Sequence, residues 1–142
     1  MTRNDRQAND AAFERATRVL LVDDSTPILE SARTILTPAC VVVGAVTNGH
    51  AALAAAKTSQ PDVIVLDISM QGMSGLEVAT TLRAQGLTTP IVFLTVHDDD
   101  QFIDAAMQAG GTGYVLKRRL LADLLHAVQE ARCGRSFISP RT

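Results

Sequence analysis

Short apolar stretches rich in β-branched residues alternate along the chain with longer stretches that have the period of a helix. Buried parallel strands are almost continuously apolar, whereas helices place apolar residues on one face, so this alternation predicts strands separated by helices. The five predicted strands comprise residues 18–22, 41–46, 63–67, 91–96 and 113–116. The chain is therefore expected to form an α/β domain.

The segments between these strands carry the marks of amphipathic helices. In the first and the last of them, apolar residues recur three or four positions apart and so fall on one helical face. Ser74 and Glu77 form a capping-box pattern at the start of another helix. Strands that alternate with helices imply right-handed crossovers and a parallel sheet covered on both faces. We therefore predict a (βα)₅ doubly wound domain with a five-stranded parallel sheet.

The length of 142 residues is that of one ordinary domain. We expect an N-terminal tail at 1–17, the domain at 18–133, and a C-terminal tail or the start of a linker at 134–142. The longest apolar run, 39–46, is far shorter than the roughly 20 residues of a membrane helix, so we expect a cytoplasmic protein without membrane contact. A net charge of −2 argues against a nucleic-acid surface within these residues.

Polar and charged residues stand at the carboxyl ends of the predicted strands, where doubly wound sheets bind their ligands. They are Asp23 and Asp24, Asp67, Thr95 and Lys117. Three carboxylates brought together repel one another unless a cation lies among them. A sparse set of oxygen ligands suits Mg²⁺, and no cluster of His or Cys offers a softer alternative.

Four segments in order resemble the response-regulator receiver domains of bacterial two-component systems. They are LLVDDS at 20–25, VIVLDISMQGMSGLE at 63–77, IVFLT at 91–95 and GYVLKR at 113–118. The resemblance covers roughly 18–133 and implies a flavodoxin-like sheet with strand order 2-1-3-4-5. It also implies a phospho-accepting switch that is not a turnover enzyme, with only transfer to, and slow hydrolysis from, its own aspartate.

The resemblance implies a role for each residue at the strand ends. Asp67 would accept the phosphoryl group, and Mg²⁺ would be held by Asp24, Asp67 and the backbone carbonyl of Ser69, with Asp23 acting through water. Lys117 would address the phosphoryl oxygens.

Two further positions would carry the switch. Thr95 would hydrogen-bond one phosphoryl oxygen, and Tyr114 would then turn from an exposed to a buried position. The surface that changes would be the fourth helix, the fifth strand and the fifth helix. We expect the phosphodonor to be a sensor histidine kinase or a phosphotransfer protein. A homodimer through that surface is a further expectation, and contact with DNA would occur only through an output domain outside these residues.

Some positions near the site differ from the residues that are common in the family, and others are expected to modulate the chemistry of the site. Val96 is bulkier than the residue that is common there, so we expect slow labelling by small phosphodonors. His97, together with the Ser69 side chain, is expected to modulate the lifetime of the acyl phosphate. Because the Lys117–Arg118 bond stands where the family often has a cis bond before Pro, a cis bond is expected here by resemblance alone.

Two other functions remain open from the sequence. A phosphohydrolase of the haloacid-dehalogenase type also uses a strand-end aspartate with Mg²⁺, but it needs a second acid where this chain has Ser69. The other alternative is a receiver-like interaction module that acts without phosphorylation. That function is favoured where site residues are missing, and none is missing here.

Overall fold

A computed structural model describes residues 16–141 as a six-stranded, entirely parallel sheet with helices on both faces. The strand order is β2-β1-β3-β4-β5-β6, and β1 to β5 have the predicted order 2-1-3-4-5. The predicted tail at 1–17 falls mostly outside the described residues. The strands are β1 (Thr17–Val22), β2 (Cys40–Val46), β3 (Val63–Asp67), β4 (Ile91–Thr95), β5 (Gly113–Leu116) and β6 (Phe137–Ile138).

Five α-helices connect the strands, and four of them begin at a residue whose side chain accepts a backbone N–H of the first turn. The fifth follows a 3₁₀ turn at Lys117–Arg119 and has no such cap. None of the helices found between residues 16 and 141 has the length and apolar character needed to cross a membrane. The helices are α1 (Thr26–Leu36), α2 (Gly49–Ser59), α3 (Gly75–Ala84), α4 (Asp100–Gln108) and α5 (Leu120–Arg132).

Two hydrophobic cores lie on opposite faces of the sheet because successive strand residues point to opposite sides. Leu20, on one face, belongs to the core beneath α2, α3 and α4. Val19 and Leu21, on the other face, belong to the core beneath α1 and α5. With both faces covered, only the ends of the strands and the sheet edges remain open to ligands.

The sixth strand was not predicted, because residues 134–142 were assigned to a tail or linker. β6 pairs in parallel with β5, with Gly113 opposite Phe137 and Tyr114 opposite Ile138. A strand of two residues is too short to show a periodic pattern. Its presence depends on contacts with β5 and α5 that are distant in sequence.

The expectation of a cis bond between Lys117 and Arg118 is wrong. Within the described part of the chain the cis bond is at Thr37–Pro38 alone. A cis bond before a residue other than proline costs about 3–4 kcal/mol, and Arg118 lacks the ring that reduces this cost. The trans bond leads into the 3₁₀ turn, which turns the chain from β5 into α5.

Candidate functional site

The predicted residues meet at the carboxyl edge of the sheet. Asp23 follows β1, Asp67 and Thr95 end β3 and β4, and Lys117 follows β5. Asp23, Asp67 and Thr95 are each only 1% exposed, whereas Asp24 is exposed. Carboxylate oxygens of the three aspartates lie within 4.8 Å of one another. The strand-end rule therefore located a real cluster.

Lys117 is the cation of this cluster. Its Nζ lies 3.0 Å from Asp23 Oδ2 and 3.4 Å from Asp67 Oδ1. The approach to Asp23 Oδ2 is outside the angular range of a hydrogen bond, so we regard this contact as an ion pair. The lysine side chain is 18% exposed, so it is mostly buried but still partly accessible to water.

The hydrogen bonds of the two buried aspartates use only part of their capacity. Asp23 Oδ1 accepts the N–H of Ser25 at 2.9 Å, and Asp67 Oδ1 accepts the N–H of Ser69 at 3.1 Å. Asp67 Oδ2 is buried without a hydrogen-bond partner. A buried carboxylate oxygen without a partner is costly, and a hard cation would satisfy it. The donor set therefore fits a divalent ion such as Mg²⁺.

The electrostatics of the cluster favour the binding of a cation. Burial raises the pKa of the Asp67 carboxyl to about 6, the Asp23 carboxylate adds to the rise, and Lys117 opposes it. For Lys117, burial alone would lower the pKa, but the contacts with Asp23 and Asp67 outweigh it and the pKa is raised. Lys117 is therefore charged, and one ammonium does not compensate for two carboxylates.

Thr95 and Tyr114 are linked through the backbone of His97. The N–H of His97 donates to Thr95 Oγ1 at 3.0 Å, and the hydroxyl of Tyr114 donates to the carbonyl of His97 at 2.7 Å. The family resemblance implies that Tyr114 moves from an exposed to a buried position, and this structure has the buried one, with no exposure. The loop after β4 thus connects the site to β5.

The side chains expected to modulate the site lie at its mouth. Ser69 Oγ is 3.3 Å from His97 Nε2, and the His97 ring stacks on Phe102 with ring centroids 3.8 Å apart and planes 4° apart. Val96 is 66% exposed. Phe102 was not predicted from the sequence, because an aromatic residue in the first turn of a helix has no distinctive spacing. The stack fixes the imidazole next to Ser69.

A second cluster of charged residues, next to the first, was also missed. Arg119 Nε lies 2.7 Å from Asp123 Oδ2, and Asp123 is only 6% exposed. Arg118 lies 3.4 Å from Asp98, with both side chains about half exposed. The four-residue spacing of Arg119 and Asp123 on a helix is a signal that could have been used.

Comparison with known proteins agrees with this geometry. The sequence model of the response regulator receiver domain matches residues 19–129. The chain therefore belongs to the response regulator receiver domain family. A doubly wound parallel sheet with the acidic cluster at its carboxyl edge is the arrangement expected from that membership.

Individual relatives extend this result. The nitrate/nitrite response regulator protein NarL of Escherichia coli is 33% identical over 123 residues, which are 85% of this chain and 57% of NarL. NarP of the same organism is 36% identical over 126 residues, 87% of this chain and 59% of NarP. The chain thus spans somewhat more than half the length of these curated relatives, both of which are response regulators.

Solved structures show the same fold. The receiver domain of the putative response regulator NarL from Mycobacterium tuberculosis superimposes with a TM-score of 0.80 at 33% identity, covering 84% of this chain and 98% of that chain. A two-component response regulator of the LuxR family from Aurantimonas gives a TM-score of 0.83 at 29% identity, covering 88% and 91%. The receiver fold predicted from the sequence is confirmed.

Proposed function

We propose that this chain is a phospho-accepting switch in which Asp67 takes a phosphoryl group from a phosphohistidine of a sensor kinase or a phosphotransfer protein. The observation that carries the proposal is the environment of Asp67. This carboxylate is 1% exposed, has one oxygen without a hydrogen-bond partner, and lies 3.4 Å from the Lys117 ammonium. A buried carboxylate with an unpaired oxygen does not stabilise the fold, but it is a suitable nucleophile.

Asp24, Asp67 and the backbone carbonyl of Ser69 would hold Mg²⁺, with Asp23 acting through water. When bound, the ion neutralises charge on the transferring phosphoryl group and orients it. The burial of Asp23 and Asp67 and the exposure of Asp24 support this arrangement, because a site open on one side leaves room for the incoming group.

In the transfer, an oxygen of Asp67 forms a bond with phosphorus as the bond between phosphorus and the histidine nitrogen breaks. The imidazole leaves with that electron pair and takes up a proton. Lys117 stabilises negative charge on the phosphoryl oxygens, and the hydroxyl of Thr95 donates to one of them. Because Thr95 also accepts the N–H of His97, a change at Thr95 reaches the loop that holds the hydroxyl of Tyr114.

The output proposed for the switch is control of transcription. NarL and NarP are response regulators, and the part that this chain matches is 57% of NarL and 59% of NarP. We infer that phosphorylation alters the surface formed by α4, β5 and α5. This surface would contact a second copy of the chain or an output domain that binds DNA.

The phosphorylation is tested by incubating the protein with Mg²⁺ and acetyl phosphate, followed by intact-mass measurement. We expect a base-labile gain of one phosphoryl group that maps to Asp67 and is absent in Asp67→Asn. Asp104→Asn, which alters an exposed acid on α4, is the matched control and should label normally. Labelling at another residue, or none with either acetyl phosphate or a phosphohistidine donor, would contradict the proposal.

Incubation with a generic phosphate ester, added to the same experiment, separates the two alternatives. A phosphohydrolase would turn over a generic phosphate ester in a burst followed by a steady state. An interaction module independent of phosphorylation would show no adduct with any donor. The phosphohydrolase family has a second acid where this chain has Ser69, so we do not expect sustained turnover of the ester.

A further inference from the structure

The end of the described chain forms a structure that the proposed switch does not use. Residues 137–141, which we call the C-terminal clasp, lie along the outer edge of β5. The N–H of Ser139 donates to the carbonyl of Tyr114 at 2.9 Å, and the N–H of Leu116 donates to Ser139 Oγ at 3.1 Å. The clasp therefore covers the β5 edge, which would otherwise present unpaired backbone groups between α4 and α5.

A buried polar pair fastens the clasp to α5. Ser139 is 2% exposed and its hydroxyl donates to Asp123 Oδ2 at 2.7 Å. Asp123 in turn accepts two hydrogen bonds from Arg119, at 2.7 and 3.2 Å. Burial alone would raise the pKa of Asp123, but the bonds from Arg119 and Ser139 outweigh it and the pKa is lowered. Charge-assisted bonds in a buried place are strong, so Asp123 anchors the clasp.

The 3₁₀ turn at Lys117–Arg119, which we call the basic turn, holds both the site and the clasp. Lys117 contacts Asp23 and Asp67. Arg118 donates to the carbonyl of Arg141 at 3.2 Å, within the clasp. The clasp is also tied to the first turn of α4, where the guanidinium of Arg141 pairs with Asp100. With Arg119 bound to Asp123, three consecutive residues thus join the acidic cluster to the clasp.

Building on the proposed phosphorylation of Asp67, we propose that the basic turn loosens the C-terminal clasp when a phosphoryl group reaches Asp67. The added negative charge draws Lys117 away from Asp23 and toward Asp67. Because the turn has only three residues, a displacement of Lys117 is passed to Arg118 and Arg119, which hold the clasp. Phosphorylation thereby uncovers the β5 edge in the middle of the α4–β5–α5 surface.

Hydrogen–deuterium exchange of the full chain with Mg²⁺ tests the proposal, with beryllium fluoride as the phosphoryl stand-in. We expect the amides of Leu116 and Ser139 to exchange at least about fivefold faster with beryllium fluoride, whereas the amide of Val65 in β3 is unchanged. Fluorine NMR reports separately whether beryllium fluoride binds. Lack of binding would remove the phosphorylation proposal and this one with it. Binding without faster exchange at the clasp would overturn this inference alone.

Substitutions in the basic turn test whether Arg118 and Arg119 connect the acidic cluster to the clasp. In Arg119→Gln the clasp amides should exchange rapidly from the start and gain little more with beryllium fluoride, whereas Arg135→Gln, an exposed arginine paired with Glu130, should behave as the wild type. Arg118→Gln removes the second contact and leaves the buried Asp123 paired, which provides a test if Arg119→Gln does not fold. A wild-type response in both basic-turn variants would refute the coupling.

Contacts of the clasp itself are checked by a pair of serine substitutions. Ser139→Ala removes the hydroxyl that bonds Asp123 and Leu116, and it should speed exchange of the Leu116 amide without beryllium fluoride. Ser136→Ala, at the exposed position just before the clasp, should leave that amide unchanged. Equal exchange rates in the two variants would mean that Ser139 does not hold the clasp.

Discussion

The ammonium group of Lys117 lies nearer to Asp23, at 3.0 Å from Oδ2, than to Asp67, at 3.4 Å from Oδ1. The lysine thus lies closer to Asp23 than to Asp67, the proposed phosphoacceptor. Both carboxylates are buried, so the ion pair offsets a large desolvation cost that the pair of aspartates would otherwise bear. Phosphorylation at Asp67 would change which of the two holds the lysine more strongly.

Removal of the Lys117 charge should destabilise the protein without metal. In Lys117→Met we expect the free energy of unfolding in EDTA to fall by about 2 kcal/mol, because two buried carboxylates lose their cation. With Mg²⁺ the loss should shrink, since the ion then supplies the positive charge. Urea unfolding measures both conditions, with Lys57→Met, an exposed lysine of α2, as the control. A loss of the same size with and without Mg²⁺ would contradict this account.

Stability without metal should fall as the pH rises through the pKa of Asp67, which is raised to about 6 by burial and by Asp23. An unfolded aspartate titrates near 4, so between these values the folded protein binds more protons and is favoured by acid. Between about pH 5 and pH 7.5 in EDTA, we expect wild type to lose about 1.4 kcal/mol relative to Asp67→Asn. Urea unfolding at both pH values measures this difference.

Mg²⁺ provides the control for the pH dependence. Because the ion favours the ionised carboxylate, its addition should abolish or reverse the loss at the higher pH in wild type and have little effect in Asp67→Asn. If the difference between the two proteins were independent of pH in EDTA, Asp67 would not have a raised pKa.

The sheet was predictable because its strands are buried on both faces. The predicted strand at 63–67 coincides with β3, and the one at 18–22 differs from β1 by one residue. A continuous apolar run records this kind of burial directly in the sequence. β6 is only two residues long, so it has no continuous apolar run in the sequence. It is held in place by the hydrogen bond between Ser139 and Asp123, which are not hydrophobic.

The site was predictable to the extent that topology determines it. Parallel strands end at the same edge, so Asp67 and Lys117 had to come close whatever their exact rotamers. The stack of His97 on Phe102 and the bond of Arg119 to Asp123 depend on side-chain packing after the fold has formed. The spacing of the strand ends along the chain does not predict such contacts.

Access to Asp67 for small phosphodonors should depend on Val96, a 66% exposed residue that directly follows Thr95. We expect Val96→Ala to raise the initial rate of labelling by acetyl phosphate by about threefold, because the shorter side chain widens the approach. Labelling is followed by intact mass in saturating Mg²⁺. Val41→Ala, at a 50% exposed position on β2, is the control and should label as the wild type does. An unchanged rate in Val96→Ala would show that this side chain does not limit entry.

The lifetime of the acyl phosphate should depend on the His97 side chain, which contacts Ser69 Oγ and stacks on Phe102. We expect His97→Ala to lose its phosphoryl group about threefold faster than wild type, because removal of the ring opens the mouth of the site to water. The backbone bond from His97 to Thr95 is retained in this variant, so the effect belongs to the side chain. Loss of label is timed after the donor is removed.

Two further variants make the His97 measurement decisive. His50→Ala, at an exposed position in α2, should keep the wild-type lifetime. Phe102→Leu removes the stack but leaves the imidazole able to reach Ser69, so its lifetime should fall between those of wild type and His97→Ala. Identical decay in His97→Ala and His50→Ala would mean that the imidazole neither orients nor excludes the attacking water.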